Sequence, residues 1–254
     1  MIDAHCHLEH MPPEVISEAR ERGMKAIITS IADIKDADGV ISLHKRHPDF
    51  VFACLGFHPE IMTKYSDADI DRYIDFLRAH KQYMAAVGEV GLDYNWTAAE
   101  ERERSKGIFL KFIDLSREMH LPLVIHSRNG REGDGIGDAI NMLIENNCTR
   151  VMMHCFSGND AQLKRCLDSG WMISYATVIC KSPKHQRLAK ETPLENTLLE
   201  TDAPWLDPDS KELTNRPWKI ERSAELIAQL KNIKKEDVLF ATDENAKKFF
   251  GLVL

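Results

Sequence analysis

Histidines and carboxylates recur at separated stations along this sequence, and together they could hold metal ions. The run Asp3-Ala4-His5-Cys6-His7 comes first. Residues two apart in an extended chain point the same way, so Asp3, His5 and His7 share one face and Ala4 and Cys6 the other. Two imidazoles on one strand can grip one cation, with Asp3 as an outer acceptor that orients a ring. A pair of surface or capping histidines is the alternative, but a strand of Ile2, Ala4 and Cys6 is not a natural surface. His58 follows in Gly56-Phe57-His58-Pro59. Glu89 sits inside Val87-Gly88-Glu89-Val90-Gly91-Leu92, where an unpaired carboxylate is costly. An arginine would compensate it, and so would two cations bridged by its oxygens. His126 ends the run Leu123-Val124-Ile125, and His154 ends Val151-Met152-Met153. Asp202 closes Leu198-Leu199-Glu200-Thr201-Asp202, with Glu200 two residues earlier on the same face.

Imidazole and carboxylate donors suit Zn, Mn, Fe or Mg without choosing among them. Two cations about 3.5–4 Å apart can activate a water and hold the attacking and leaving oxygens of a displacement. Zinc lowers the pKa of a bound water from about 15.7 to about 7. At about 1.36 kcal/mol per unit that is roughly 12 kcal/mol, more than any lone side-chain base offers. Asp202 could then orient the water and accept its proton. No G-x-S-x-G elbow supports Ser–His–Asp hydrolysis. Cys6 and Cys155 each neighbour a histidine, but adjacent strand residues face opposite sides, which disfavours a Cys–His nucleophile. His44, His47, His80 and His120 fall near helix ends, where a partly positive ring suits the dipole, and read as structural. His10 and His185 lie in or near loops. Trp205 and Trp218 could shape a pocket, although packing is the commoner use of such rings.

Something must bring these stations together. Short apolar runs predict eight buried strands at 1–5, 25–31, 50–57, 85–91, 122–127, 150–156, 171–177 and 197–203. Helical spacing predicts helices at 12–23, 36–47, 66–80, 99–120, 135–147, 160–169, 183–191, 217–230 and 235–250. Regular strand–helix alternation over 254 residues fits a single domain, 1–254, folded as an α/β barrel of the TIM (β/α)8 type. No G-x-G-x-x-G follows the first strand, which argues against a dinucleotide fold. The stations fall at or just beyond strand C-termini, the catalytic mouth of such a barrel.

The formal net charge of −7 gives the surface no general attraction for polyanions. A nucleic-acid substrate would need local positive charge from metals or a few arginines and lysines. Six cysteines without a C-x-x-C pair, and no leader ahead of Met1-Ile2-Asp3, point to a reducing cytoplasm. No apolar run of about 18 residues predicts a membrane span. No obligate protein partner is evident.

Taken jointly, these motifs resemble a known family. D-x-H-x-H (3–7), G-x-H-P (56–59), G-E-V-G-L-D-Y (88–94), I-H-S-R (125–128), H-C-F-S-G (154–158) and E-T-D-A-P (200–204) look like the TatD family of metal-dependent deoxyribonucleases, which are amidohydrolase-type barrels. The resemblance spans residues 1–217. It implies two divalent cations (Zn, Mg or Mn), one held by His5, His7, Glu89 and Asp202 and the other by Glu89, His126 and His154. It implies that His58 contacts the scissile phosphate, that Arg128 and Tyr94 help to bind substrate, and that Asp202 and Glu89 serve the chemistry. The substrate implied is DNA, single-stranded or at 3′ ends, cleaved exonucleolytically. Two stretches depart from the family pattern. Thr214-Asn215-Arg216-Pro217 stands where R-N-E-P is usual, and Glu103-Arg104-Ser105-Lys106-Gly107 lacks the common glutamine. Both bear on specificity and not on the metal residues. A hydrolase of a small lactone, amide or phosphoester on the same barrel, and a purely structural metal site, are the competing readings.

Overall fold

The computed structural model describes residues 1–254. Eight parallel strands form one sheet in chain order. They are β1 (Ile2–Cys6), β2 (Ala26–Thr29), β3 (Val51–Leu55), β4 (Met84–Asp93), β5 (Leu123–Arg128), β6 (Val151–Met153), β7 (Met172–Tyr175) and β8 (Thr197–Leu199). Each pairs with the next. At the C-terminal end of β1 and just beyond that of β8, His7 N donates to Ala203 O (2.8 Å) and Asp202 N to His5 O (3.0 Å), which draws the sheet into a nearly closed barrel. The strands are covered on both faces, which is why they read as unbroken apolar runs.

The intervening helices are α1 (Val15–Glu21), α2 (Ala37–Arg46), α3 (Asp67–Ala79), α4 (Arg102–Met119), α5 (Gly135–Glu145), α6 (Asp160–Asp168), α7 (Pro183–Glu191), α8 (Ile220–Lys231) and α9 (Lys235–Phe250). Their starts follow local chemistry. Ser66 with Asp69 and Asn159 with Gln162 form reciprocal caps on α3 and α6, and the Asp134 side chain accepts from Gly137 N at α5. α4 places Ile108, Phe109, Phe112, Ile113, Leu115 and Met119 on its buried side at helical spacing.

Apolar residues divide into two bodies. The larger fills the space between strands and helices. The smaller lies inside the barrel: Ile2, Ala4, Ala26, Ile28, Cys54, Ala86, Val124, Met152 and Leu198 meet Ala246, Phe249 and Phe250 of α9. α9 therefore stoppers the end where the strands begin. Asp243 on the same helix accepts from Ile2 N (2.8 Å) and pairs with Lys25 (2.8 Å). The sequence pattern identified α9 as a helix but not as this plug.

Every predicted strand and helix is present. The main differences lie at the mouth. β6 and β8 stop three or four residues short of the apolar runs that predicted them. Beyond them Cys155 (φ 42°) and Asp202 (φ 56°) turn into the left-handed region, where the ladder cannot continue. These turns release His154 and Asp202 from the sheet.

Candidate metal centre

The seven stations meet. His5 Nε2 lies 3.2 Å from His7 Nε2, 3.4 Å from Glu89 Oε2 and 3.7 Å from Asp202 Oδ1. His7 Nε2 lies 3.8 Å from Glu89 Oε2 and 3.6 Å from Asp202 Oδ1. On the other side of Glu89, Oε1 lies 2.7 Å from His126 Nδ1, 3.3 Å from His154 Nε2 and 3.6 Å from His58 Nε2. His58 Nε2 is also 3.3 Å from His126 Nδ1. Three triads are close enough to hold an ion: His5–His154–Asp202, His5–His7–Glu89 and His58–Glu89–His126.

Local irregularity makes this possible. The β4–β5 register shifts between Gly88 and Val90, so Glu89 is left without a ladder partner. Glycine permits the close approach around it: a Cβ on Gly88 would stand 2.6 Å from Val124 Cβ, and one on Gly91 (φ +145°) would stand 1.9 Å from His126 O. β1 has a similar shift between Asp3 and Cys6. Strict alternation is lost there, and the expectation that Asp3 orients a ring is corrected. Its carboxylate instead accepts from Thr201 N (2.9 Å), Thr201 Oγ1 (2.5 Å) and His5 N (3.2 Å), joining β1 to the end of β8.

Other groups hold the rings. His7 Nδ1 donates to Glu9 Oε1 (3.1 Å), His154 Nδ1 to Glu200 (2.8 Å) and His126 Nε2 to Asp93 Oδ2 (2.8 Å). Glu9 Oε1 also accepts from Ala32 N (3.1 Å). A carboxylate only accepts, so the outer nitrogen of each of these rings carries the proton. The other nitrogen of each ring faces inward towards Glu89 and offers a lone pair to a cation once it gives up its proton. His5 Nδ1 is 3.1 Å from Ser30 Oγ. Sequence reasoning noticed Glu200 by its place but missed Glu9, Ser30 and Asp93. Asp93 and Glu9 each follow a singled-out residue closely, but Ser30 carried no signal of its own.

The field of the cluster favours positive charge. Burial alone would hold every ring neutral, yet Asp93 and Glu89 push His126 up to about 10, and Glu200 and Glu89 push His154 up to about 9. His7 also rises against its burial through Asp202 and Glu9. At His58 the balance reverses: burial and its neighbour His126 outweigh Glu89 and pull it down to about 3. Burial opposes ionisation of Glu89, but the surrounding rings, His154 first, hold it well below the usual range. Protons and metal cations compete for the same lone pairs. Inward imidazole nitrogens and carboxylate oxygens with few donors among them fit divalent cations.

The other predicted contacts separate. Arg128 is exposed at the end of β5, and its guanidinium has no hydrogen-bond partner within the protein. Tyr94 is buried; its hydroxyl donates to Asp138 Oδ2 (2.6 Å) and the Arg102 guanidinium lies 4.4 Å from its ring centre. Its hydroxyl and ring are thus both engaged within the protein. Asn215, retained in the divergent 214–217 stretch, is fully buried and donates to Thr177 Oγ1, Thr201 O and Trp205 O. His44 and His80 bond backbone carbonyls, in keeping with structural roles.

A barrel whose strand ends gather histidines around a central carboxylate defines a metal-dependent hydrolase. The family described as TatD related DNase matches residues 2–251, and the chain belongs to it. That membership makes it a hydrolase acting on ester bonds. Human deoxyribonuclease TATDN3 is 32% identical, with 98% of this chain and 94% of that protein aligned. An uncharacterised metal-dependent hydrolase of Bacillus subtilis, YabD, is 30% identical over 99% of each. The crystal structure of the TatD homologue YJJV from Escherichia coli superposes with a TM-score of 0.89 at 25% identity, covering 100% of this chain and 98% of that one.

Proposed function

We propose that this hydrolase cleaves phosphodiester bonds of DNA with two divalent cations, one held by His5, His7, Glu89 and Asp202 and the other by Glu89, His126 and His154. The supporting observation is the split of Glu89. Its Oε2 faces the His5–His7 pair (3.4 and 3.8 Å) and its Oε1 faces His126 and His154 (2.7 and 3.3 Å). A carboxylate set between two groups of nitrogen donors suits a bridge. The human relative TATDN3, named a deoxyribonuclease, supports DNA as substrate.

Cations there supply Lewis acidity, polarising a phosphoryl oxygen and making water a nucleophile near neutral pH. The chain does the rest. Asp202, partly open at the mouth beside His5 and His7, accepts the proton of the attacking water. His58, beside Glu89 and His126, steadies the scissile phosphate. Arg128 offers an uncommitted guanidinium to a neighbouring phosphate, positive charge that the net −7 surface otherwise lacks. Attack at 3′ ends of single strands is the mode that fits the family resemblance. No helix is long and apolar enough to cross a membrane, and all six cysteines are free, which suits action in the cytoplasm.

The test is hydrolysis of single-stranded DNA, duplex DNA and a generic phosphodiester with added Mg or Mn, for wild type, Glu89→Ala and Asp202→Ala. Wild type should cleave DNA, with activity falling as salt rises, and both variants should lose at least about a thousandfold. Wild-type rates in both variants, or activity confined to lactones or amides, would overturn the assignment.

A further inference from the structure

Trp205 stands three residues beyond Asp202 and is anchored in an unusual way. Its backbone N donates to Asp202 O (3.0 Å), and its carbonyl accepts from the buried Asn215 side chain (2.7 Å). Its ring is therefore fixed to the same loop that delivers Asp202. Two imidazoles meet the indole at right angles: His7 at 4.9 Å between ring centres (89°) and His10 at 5.3 Å (81°). His7 is a member of the metal cluster, so the indole is one ring removed from the reacting centre. Trp205 is nevertheless only half-buried, and its indole N–H makes no hydrogen bond within the protein. A tryptophan placed only for packing would bury its faces; this one keeps part of its surface open beside the cluster.

From this placement we propose that Trp205, with His10 packed edge-on against it, is a stacking platform for the nucleobase attached to the phosphate at the cluster. The inference rests on the phosphodiesterase reading above and extends it from the phosphate to the base. A phosphate at His7 leaves its own nucleoside only the length of a sugar from the indole. Flat aromatic surfaces hold any base, because every base has a π-face. The platform would thus add affinity for nucleotides over plain phosphoesters with little preference among bases.

Two matched esters separate base recognition from phosphate chemistry: thymidine 5′-(p-nitrophenyl phosphate) and methyl p-nitrophenyl phosphate. The ratio of their kcat/KM values measures what the base contributes. In Trp205→Ala that ratio should fall roughly tenfold or more, chiefly through KM, and Trp205→Phe should keep most of it. Calorimetric binding of thymidine 5′-monophosphate against inorganic phosphate gives a second readout without turnover. Wild type should bind the nucleotide more tightly, and Trp205→Ala should lose that increment. An unchanged ratio in Trp205→Ala, or equal binding of nucleotide and phosphate by wild type, overturns the platform. Failure of wild type to hydrolyse either ester or DNA would instead strike the phosphodiesterase reading, while the binding comparison would still decide the role of Trp205.

Discussion

At the end where the strands begin, Ile2, Ala26, Ile28, Val124 and Leu198 close on Phe249 and Phe250 of α9. At the end where they finish, the same sheet offers His5, Glu89, His126 and His154 to one another across a few ångströms. The first end is held by removing apolar surface from water, a force without direction that tolerates exchange of similar shapes. The second depends on directed lone pairs, each fixed by a partner such as Asp93 or Glu200, and on backbone that abandons the regular ladder. Stability and chemistry are thus lodged at opposite ends, and substitutions should separate them.

The largest effect on folding is expected at the plug. Phe250→Ala removes a ring that is only 5% exposed and should cost about 3–5 kcal/mol, read as a lowered denaturation midpoint. Hydrolysis per folded molecule should stay near wild type. A folded variant with severely reduced turnover would show that the plug and the mouth are coupled.

A smaller change is expected behind the cluster. Asp93→Asn leaves the chain folded but exchanges a pure acceptor at His126 Nε2 for an amide that can also donate. Outer partners of metal-binding rings contribute about 10–100-fold, so metal affinity and turnover should fall together by that order. Loss of turnover with metal affinity intact would place Asp93 in another role.

The smallest effect belongs to the loop that carries the mouth beyond β8. Burial would raise Asp207, but Lys219 (2.8 Å) and the Thr214 hydroxyl (2.6 Å) outweigh it and pull its carboxyl down to about 2. Its ionised form therefore stabilises the fold above the unfolded value of about 3.9. That contribution is lost as pH falls from about 4 towards 2. Asp207→Asn should cost about 1–2 kcal/mol at neutral pH, the full shift being discounted for nearby solvent. The gap to wild type should close with acidification. A gap that persists at pH 2 would remove the ion pair as its cause.

The same contrast explains what could be read in advance. Strands such as Leu123–Arg128 and Val151–Met153 announced themselves because burial on both faces demands unbroken apolar runs. His126 and His154 stood out against those runs. The position of α9 did not, since an amphipathic helix does not state which apolar surface it covers. The role of Asp3 was misjudged because alternation fails at the register shift between Asp3 and Cys6. Ser30 and Asp93 reach His5 and His126 from 25 and 33 residues away, contacts that only closure of the barrel creates. Tyr94 lay in a matched motif, but motif membership carries no information on which way a hydroxyl points; here it meets Asp138.

The central claim is that Glu89 joins two cations. Elemental analysis of metal bound per chain, after removal of loosely held ions, tests it in wild type and in the near-isosteric Glu89→Gln. Two equivalents in wild type, with both sharply reduced in the variant, is the predicted result. A single equivalent in wild type, or two retained without the Glu89 carboxylate, would contradict it.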